Sequence, residues 1–227
     1  MKYELILFDA DGTLYDFKQA ELQAFNNTML HFGVSTNLTE LHLIYEIENH
    51  LIWQEFEQKK ISSVELRTAR FSRFFKKADL ELDPNLVSPF YLAELAKGTH
   101  LLEGAIEIIQ YLYGKVPLAI ATNGLADVQI PRFADSKLHG FFEHNFISDQ
   151  IGHPKPEPEF FQHIFEDYSQ KPKSIIIGDN LDSDIKGGND FGIDTCWYNP
   201  NRKENKTGIT PTYEIANLAE LKQIIEV

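Results

Sequence analysis

The chain lacks what would tie it to a disulfide framework, a membrane or a polyanion. It has a single cysteine in 227 residues, so no intrachain disulfide can form. That residue, Cys196, sits in an apolar strand-like stretch and reads as a packed small hydrophobe rather than a nucleophile. No apolar run approaches the roughly 20 residues of a membrane span. The N-terminus has no basic region leading into a long apolar segment, and a soluble cytoplasmic protein is the expectation. Basic residues are few, 21 Lys and Arg against 34 Asp and Glu, for a formal net charge of −13. They form no cluster, which argues against a nucleic acid polymer as partner. A small anionic ligand remains compatible with this balance, because local cations and a metal override the global charge. Repeats and low-complexity tracts are also missing. What remains is an ordinary globular composition, 43% hydrophobic and 24% charged, long enough to bury a substantial core.

The pattern along the chain divides into three. A buried strand, Leu5–Asp9, comes first. From about Tyr15 to Ala96 the periodicity is helical, with amphipathic stretches near Ala20–Phe32, Leu41–Gln58, Ser62–Lys77 and Pro84–Ala96. Ser62 or Ser63 caps the third of these, with Glu65 in its first turn. After Gly98, helices and strands alternate. Helices are expected at Glu103–Tyr111, Pro158–Tyr168, Asp184–Phe191 and Leu218–Ile225. Strands are expected at Leu118–Thr122, Phe146–Ser148, Ser174–Gly178 and Thr195–Tyr198. This alternation predicts an α/β fold, a Rossmann-like parallel sheet with helices on both faces. The core would comprise 1–14 and 97–227, with an inserted all-helical domain over 15–96. An insert directly after the first strand would hang over the strand ends as a lid.

Four loops at predicted strand ends carry chemistry. Asp9-Ala10-Asp11-Gly12-Thr13 follows the first strand. Two carboxylates there repel each other and any anionic substrate unless a cation joins them. The Asp-Gly pair also suits an ordinary turn. Thr122-Asn123-Gly124 ends the second strand and offers a hydroxyl and backbone N–H groups to phosphate oxygens, or simply a helix cap. Lys155 is gripped between Pro154 and Pro156, which limit its backbone. Gly178-Asp179 ends the Ile-Ile-Ile strand, with Asp184 five residues on. Acids at a buried strand end call for a partner, and Mg²⁺ is the natural one.

In this order the four loops resemble the haloacid dehalogenase (HAD) superfamily of phosphohydrolases, across essentially the whole chain, and the helical insert resembles that superfamily's C1-type cap. The resemblance implies Asp9 as nucleophile forming an aspartyl-phosphate and Asp11 as proton donor and acceptor. Thr122, Asn123, Gly124 and Lys155 would bind the phosphoryl group. Mg²⁺ would be held by Asp9, the Asp11 carbonyl and Asp179, with Asp184 in reach of its waters or of Lys155. Phe8–Leu14, the Ile52-Trp53 pair before Ile61-Ser62, and Thr195–Asn199 resemble the branch of pyrimidine 5′-nucleotidases. The expected partner is therefore a small phosphorylated metabolite, a nucleoside monophosphate, and the protein a monomer or homodimer. Sugar-phosphate or phosphoglycolate phosphatases share every motif, and a phosphomutase would return phosphate to the bound intermediate instead of to water. A haloalkanoate dehalogenase uses the first Asp but not the second, so Asp11 speaks against it. The cap aromatics Phe25, Phe32, Tyr45, Trp53, Phe56, Phe71, Phe74 and Phe75 are expected to be mostly helix-bundle core, leaving one or two to face a nucleobase.

Overall fold

A computed structural model of the protein describes residues 1–166 and 172–226. Strand β1 (Leu5–Phe8) is followed by four helices, α1 (Phe17–His31), α2 (Leu38–Glu57), α3 (Ser63–Ala78) and α4 (Pro84–Ala96). Alternation then sets in with α5 (Ala105–Leu112), β2 (Leu118–Thr122), α6 (Ala126–Asp135), β3 (His144–Ile147), α7 (Ser148–Ile151), α8 (Pro158–Phe165) and β4 (Ser174–Gly178). It ends with α9 (Lys186–Phe191), β5 (Asp194–Tyr198), β6 (Tyr213–Ile215) and α10 (Leu221–Glu226).

The six strands form one parallel sheet in the order β3-β2-β1-β4-β5-β6. Side chains alternate across a pleated strand, and β1 uses both faces. Ile6 and Phe8 join Ile120, Ile177 and Cys196 beneath Ile109 of α5 and Leu221 of α10. Leu5 and Leu7 join Ala119, Ala121 and Ile176 beneath Phe160, Phe161 and Ile164 of α8. The chain runs outward from β1 through β2 to β3, then crosses back to add β4 on the other side of β1. Such a reversal opens a crevice outside the strands' carboxyl ends. Phe8 lies level with Ile120 and Ile177, so the residues that follow each strand emerge side by side into that crevice.

Helices α1–α4 pack around a cluster of their own, which includes Phe25, Met29, Tyr45, Ile52, Phe71, Phe74 and Tyr91. Leu125 and Val128 of the α6 region join it, so the insert is seated on the sheet domain through α6. Ion pairs add to that seat. Arg67 of α3 reaches Asp127 at 2.9 Å and Asp149 at 2.8 Å, and Lys59 reaches Glu157 at 3.0 Å. Ser62 closes a reciprocal capping box with Glu65 at the start of α3.

The elements depart from the sequence pattern in a few places. Glu103 lies ahead of α5, because Gly104 takes a left-handed conformation (φ +81°) that an L-residue adopts reluctantly. The strand expected at Phe146–Ser148 starts earlier and hands Ser148 to α7. Leu181–Ile185 form a single π-type turn that leads into α9. The helix expected over Pro158–Tyr168 is present through Phe165, and 167–168 lie outside the described residues. Three elements, α6, α7 and β6, have no counterpart in the pattern. No helix among the described residues is long and apolar enough to cross a membrane.

Candidate active site

Asp9, Asp11, Thr122, Asn123, Gly124, Lys155, Asp179 and Asp184 all line one cavity of about 580 Å³. The sheet ends form its floor. Its roof is made by the insert, with Phe17, Lys18, Glu21, Glu46, Asn49, His50, Trp53, Gln54 and Glu57. That volume lies within the range of small-molecule sites.

Lys155 organises the floor. Its Nζ donates to Asp9 Oδ1 at 2.8 Å, to Asp184 Oδ1 at 2.6 Å and to the Ala121 carbonyl, which uses all three ammonium hydrogens. The Asn123 side chain fixes the lysine's backbone from both sides. Its Oδ1 accepts from Lys155 N and its Nδ2 donates to Lys155 O, each at 2.8 Å. Asp9 also accepts from Thr13 Oγ1 at 3.3 Å. Asp184 Oδ2 accepts from the Asn180 N–H at 3.1 Å. The Gly124 N–H donates to Thr122 Oγ1 at 3.0 Å, which leaves the threonine's own hydrogen free to point into the cavity.

One ammonium faces three acids. Carboxylate oxygens of Asp9, Asp179 and Asp184 lie within 4.8 Å of one another. Burial pushes the Asp9 carboxyl up; Lys155 opposes the rise, and Asp184 and Asp179 add to it. Asp179 still opens to the cleft, yet lost hydration and then repulsion from Asp184 push it up to about 7. Lys155 moves upward as well, since Asp184 and Asp9 outweigh its own burial. The two partners of the Asp9–Lys155 pair thus shift in the same direction, because burial dominates at Asp9 whereas at Lys155 the carboxylates of Asp184 and Asp9 outweigh it. The uncompensated negative charge and the all-oxygen donor set fit a hard divalent cation such as Mg²⁺. Backbone geometry keeps the space open: a Cβ on Gly12 (φ +87°) would stand 2.6 Å from Asp179 Oδ2.

The Asp11 side chain is not part of this trio. It turns toward α6, where Gln129 Nε2 donates to Oδ2 at 2.5 Å and Arg132 Nη1 donates to Oδ1. Sequence reasoning singled out neither Gln129 nor Arg132. The roof also holds a polar pair: Asn49 Nδ2 donates to Glu21 Oε1 at 2.8 Å. Of the cap aromatics, Phe25, Tyr45, Phe71, Phe74 and Phe75 are buried core, whereas Trp53 lines the cavity.

Residues 6–198 match the family model described as haloacid dehalogenase-like hydrolase. The chain belongs to that family. It is 38% identical to the HAD-hydrolase YfnB of Bacillus subtilis over 229 aligned residues, covering all of this chain and 97% of that protein. It is 37% identical to the pyrimidine 5′-nucleotidase PynA of Streptococcus pneumoniae, covering all of this chain and 96% of PynA. The pyrimidine 5′-nucleotidase YjjG of Escherichia coli is 28% identical with 99% of each chain covered. The crystal structure of YfnB bound to magnesium superposes with a TM-score of 0.91 at 37% identity over the full length of both chains. The hydrolase fold and the crevice described above are therefore shared along the whole chain.

Proposed function

We propose that this hydrolase is a Mg²⁺-dependent phosphomonoesterase that works through an aspartyl-phosphate and acts on nucleoside 5′-monophosphates, pyrimidine nucleotides first. What carries this reading is the convergence of Asp9, Lys155, Asp179 and Asp184 at the floor of a cavity roofed by Trp53. The names and extent of the relatives PynA and YjjG support the substrate class.

In this mechanism an Asp9 carboxylate oxygen attacks phosphorus in line. The phosphorus–ester oxygen bond breaks, and Asp11 gives its proton to the departing alcohol oxygen. A water then attacks the phosphorus of the aspartyl-phosphate while Asp11 takes its proton, and the Asp9 carboxylate is regenerated with release of phosphate. Thr122 Oγ1–H and the Asn123 N–H hold phosphoryl oxygens. Lys155 keeps Asp9 in place and balances charge that develops on the phosphoryl group. Asp9, Asp179 and the Asp11 carbonyl would hold Mg²⁺, with Asp184 behind them. When bound, the ion screens repulsion between Asp9 and the anionic phosphoryl group. The roof selects the alcohol. A cavity of about 580 Å³ with an indole on its wall exceeds what a triose phosphate fills and suits a flat heterocycle.

The test is phosphate release from UMP, dUMP, dTMP, halogenated analogues, purine nucleotides and sugar phosphates, with Mg²⁺ and with EDTA. Pyrimidine monophosphates are expected to be hydrolysed best, EDTA to stop release, and Asp9→Asn to lower kcat by at least about 10⁴-fold with the fold intact. Near-native turnover by Asp9→Asn would remove the nucleophile assignment. Preference for a sugar phosphate would remove the nucleotide assignment.

A further inference from the structure

Gln129 and Arg132 lie three residues apart on α6 and so share one face of that helix. Both are enclosed, Gln129 at 1% exposure and Arg132 at 0%. Between them they occupy both oxygens of Asp11: Gln129 Nε2 donates to Oδ2 at 2.5 Å, and Arg132 Nη1 to Oδ1. Arg132 makes a second connection, from Nη2 to the Leu95 carbonyl at 3.1 Å, in the last turn of α4. That turn leads from the insert back to the sheet domain. The guanidinium therefore joins Asp11 to the end of the insert.

Two features show that the arrangement is not ordinary packing. Gln129 reaches Asp11 across Gly124, and a Cβ at residue 124 would collide with its amide. The path exists only because residue 124 has no side chain. Second, Gln129 Oε1 and Arg132 Nε are buried without a hydrogen-bond partner among the described residues. Unpaired buried polar atoms cost stability. Two apolar side chains would fill the same space without that cost.

We propose that Gln129 and Arg132 are positioning residues for Asp11: they set where its carboxyl group stands relative to the leaving oxygen, and Arg132 links that placement to the insert through Leu95. This rests on reading Asp11 as the proton donor. Each Asp11 oxygen accepts only one of these bonds, so the protonated carboxyl can direct its hydrogen at a leaving oxygen while both bonds hold it in place. The Gln129 bond, between a neutral amide and the acid, is the weaker of the two.

The test separates leaving groups. p-Nitrophenolate departs without a proton, whereas a nucleoside 5′-alkoxide requires one. Leaving-group release is followed in the first turnover, by rapid quench with UMP and by absorbance with p-nitrophenyl phosphate, in the Mg²⁺-loaded enzyme. Asp11→Asn is expected to slow uridine release by about 10²- to 10⁴-fold and to spare nitrophenolate release. Gln129→Leu and Arg132→Met are expected to reproduce that selectivity at about tenfold or more, with substrate affinity retained. Arg132→Lys would recover part of the loss. Should Arg132→Met fail to fold, Gln129→Leu carries the test, since leucine matches the glutamine in bulk. If the clamp variants slow both substrates equally, or neither, while Asp11→Asn remains selective, the positioning role is overturned and the mechanism stands. If Asp11→Asn itself shows no selectivity, the proton-donor reading fails and this inference fails with it.

Discussion

The floor and the roof of the cavity treat their polar groups in opposite ways. On the floor every side chain that matters to the lysine is engaged: Lys155 uses three hydrogens, Asp184 both oxygens, and Asn123 both ends of its amide. In the roof, Asn49 Oδ1 is buried without a hydrogen-bond partner among the described residues, and so, in the helices α2 and α3 outside the cavity lining, are His42 Nε2 and Arg70 Nε and Nη2. A saturated network is rigid and defines one geometry. An unsaturated one keeps capacity for a ligand or for rearrangement. On the function proposed above, the chemical step falls to the floor and the choice of alcohol to the roof, and the contrast makes different demands on substitutions in each.

The sharpest way to break this contrast is to remove the cation that faces Asp9 and Asp184. Lys155→Met leaves Asp9 and Asp184 buried without a counter-charge, and breaking a buried pair from one side costs about 3–5 kcal/mol. Turnover should fall by about 10²- to 10³-fold or more, the scale of losing one preorganised donor. The melting temperature measured in EDTA should fall as well. The stability loss should shrink toward acid pH, where protonation of Asp9, whose carboxyl burial pushes up, removes part of the charge that the lysine balanced. A variant that keeps its stability at neutral pH would show that the floor is not a closed charge network.

Much of the floor was legible in the sequence because Asp9, Thr122 and Asp179 stand at the ends of apolar strands, where chain direction and burial leave little freedom. Asp9 directly follows β1, Thr122 ends β2 and Asp179 directly follows β4, with Phe8, Ile120 and Ile177 level just before them. The pull of Asn123 on the Lys155 backbone was not legible, since nothing local joins residues 32 apart. Helix α6 was missed because Pro131 interrupts its pattern: at the sixth helical position the proline has no N–H to give to the Asp127 carbonyl. Gln129 and Arg132 were missed with it: polar residues on a helix read as solvated. The available signal was their spacing from Gly124 and the apolar Leu125, Val128 and Phe133 that pull the same helix into the core. In the roof, five of the eight cap aromatics are buried core as the helical periodicity implied. Which one would face the cavity depended on the rotation of α2, and that is fixed by packing against α3 rather than by local pattern.

A smaller effect sharpens the roof's role. Trp53 lines the cavity with its ring set edge-on to Phe56 at 5.7 Å, while its neighbour Ile52 is fully buried. Base–aromatic stacking contributes about 1–3 kcal/mol. Trp53→Ala should therefore raise KM for pyrimidine monophosphates by about tenfold and leave turnover of p-nitrophenyl phosphate near its original value. An equal loss on both substrates would move Trp53 from the roof's recognition surface to the general support of the site.

The smallest expected effect concerns Glu21, which is 6% exposed. Burial and then the charge of Glu46 push its carboxyl up from 4.5 to about 7, against the opposing pull of Arg70 and Asn49. A carboxyl raised on folding binds protons more tightly in the native state. Its contribution is fully present below pH 4.5 and is lost as pH rises through about 7. Glu21→Gln keeps an oxygen for the Asn49 amide and removes the titration. The variant should match the parent at about pH 5 and exceed it by at most a few kcal/mol at about pH 8, seen as a flatter plot of melting temperature against pH. Asp179 on the floor carries a shift of the same sign, so the comparison is made with saturating Mg²⁺, which would hold the floor's acids ionised in both proteins. A difference that persists under Mg²⁺ belongs to the roof. One that vanishes there would mean that Glu21 feels the floor's charge rather than its own burial, and the two regions would have to be treated as a single electrostatic unit.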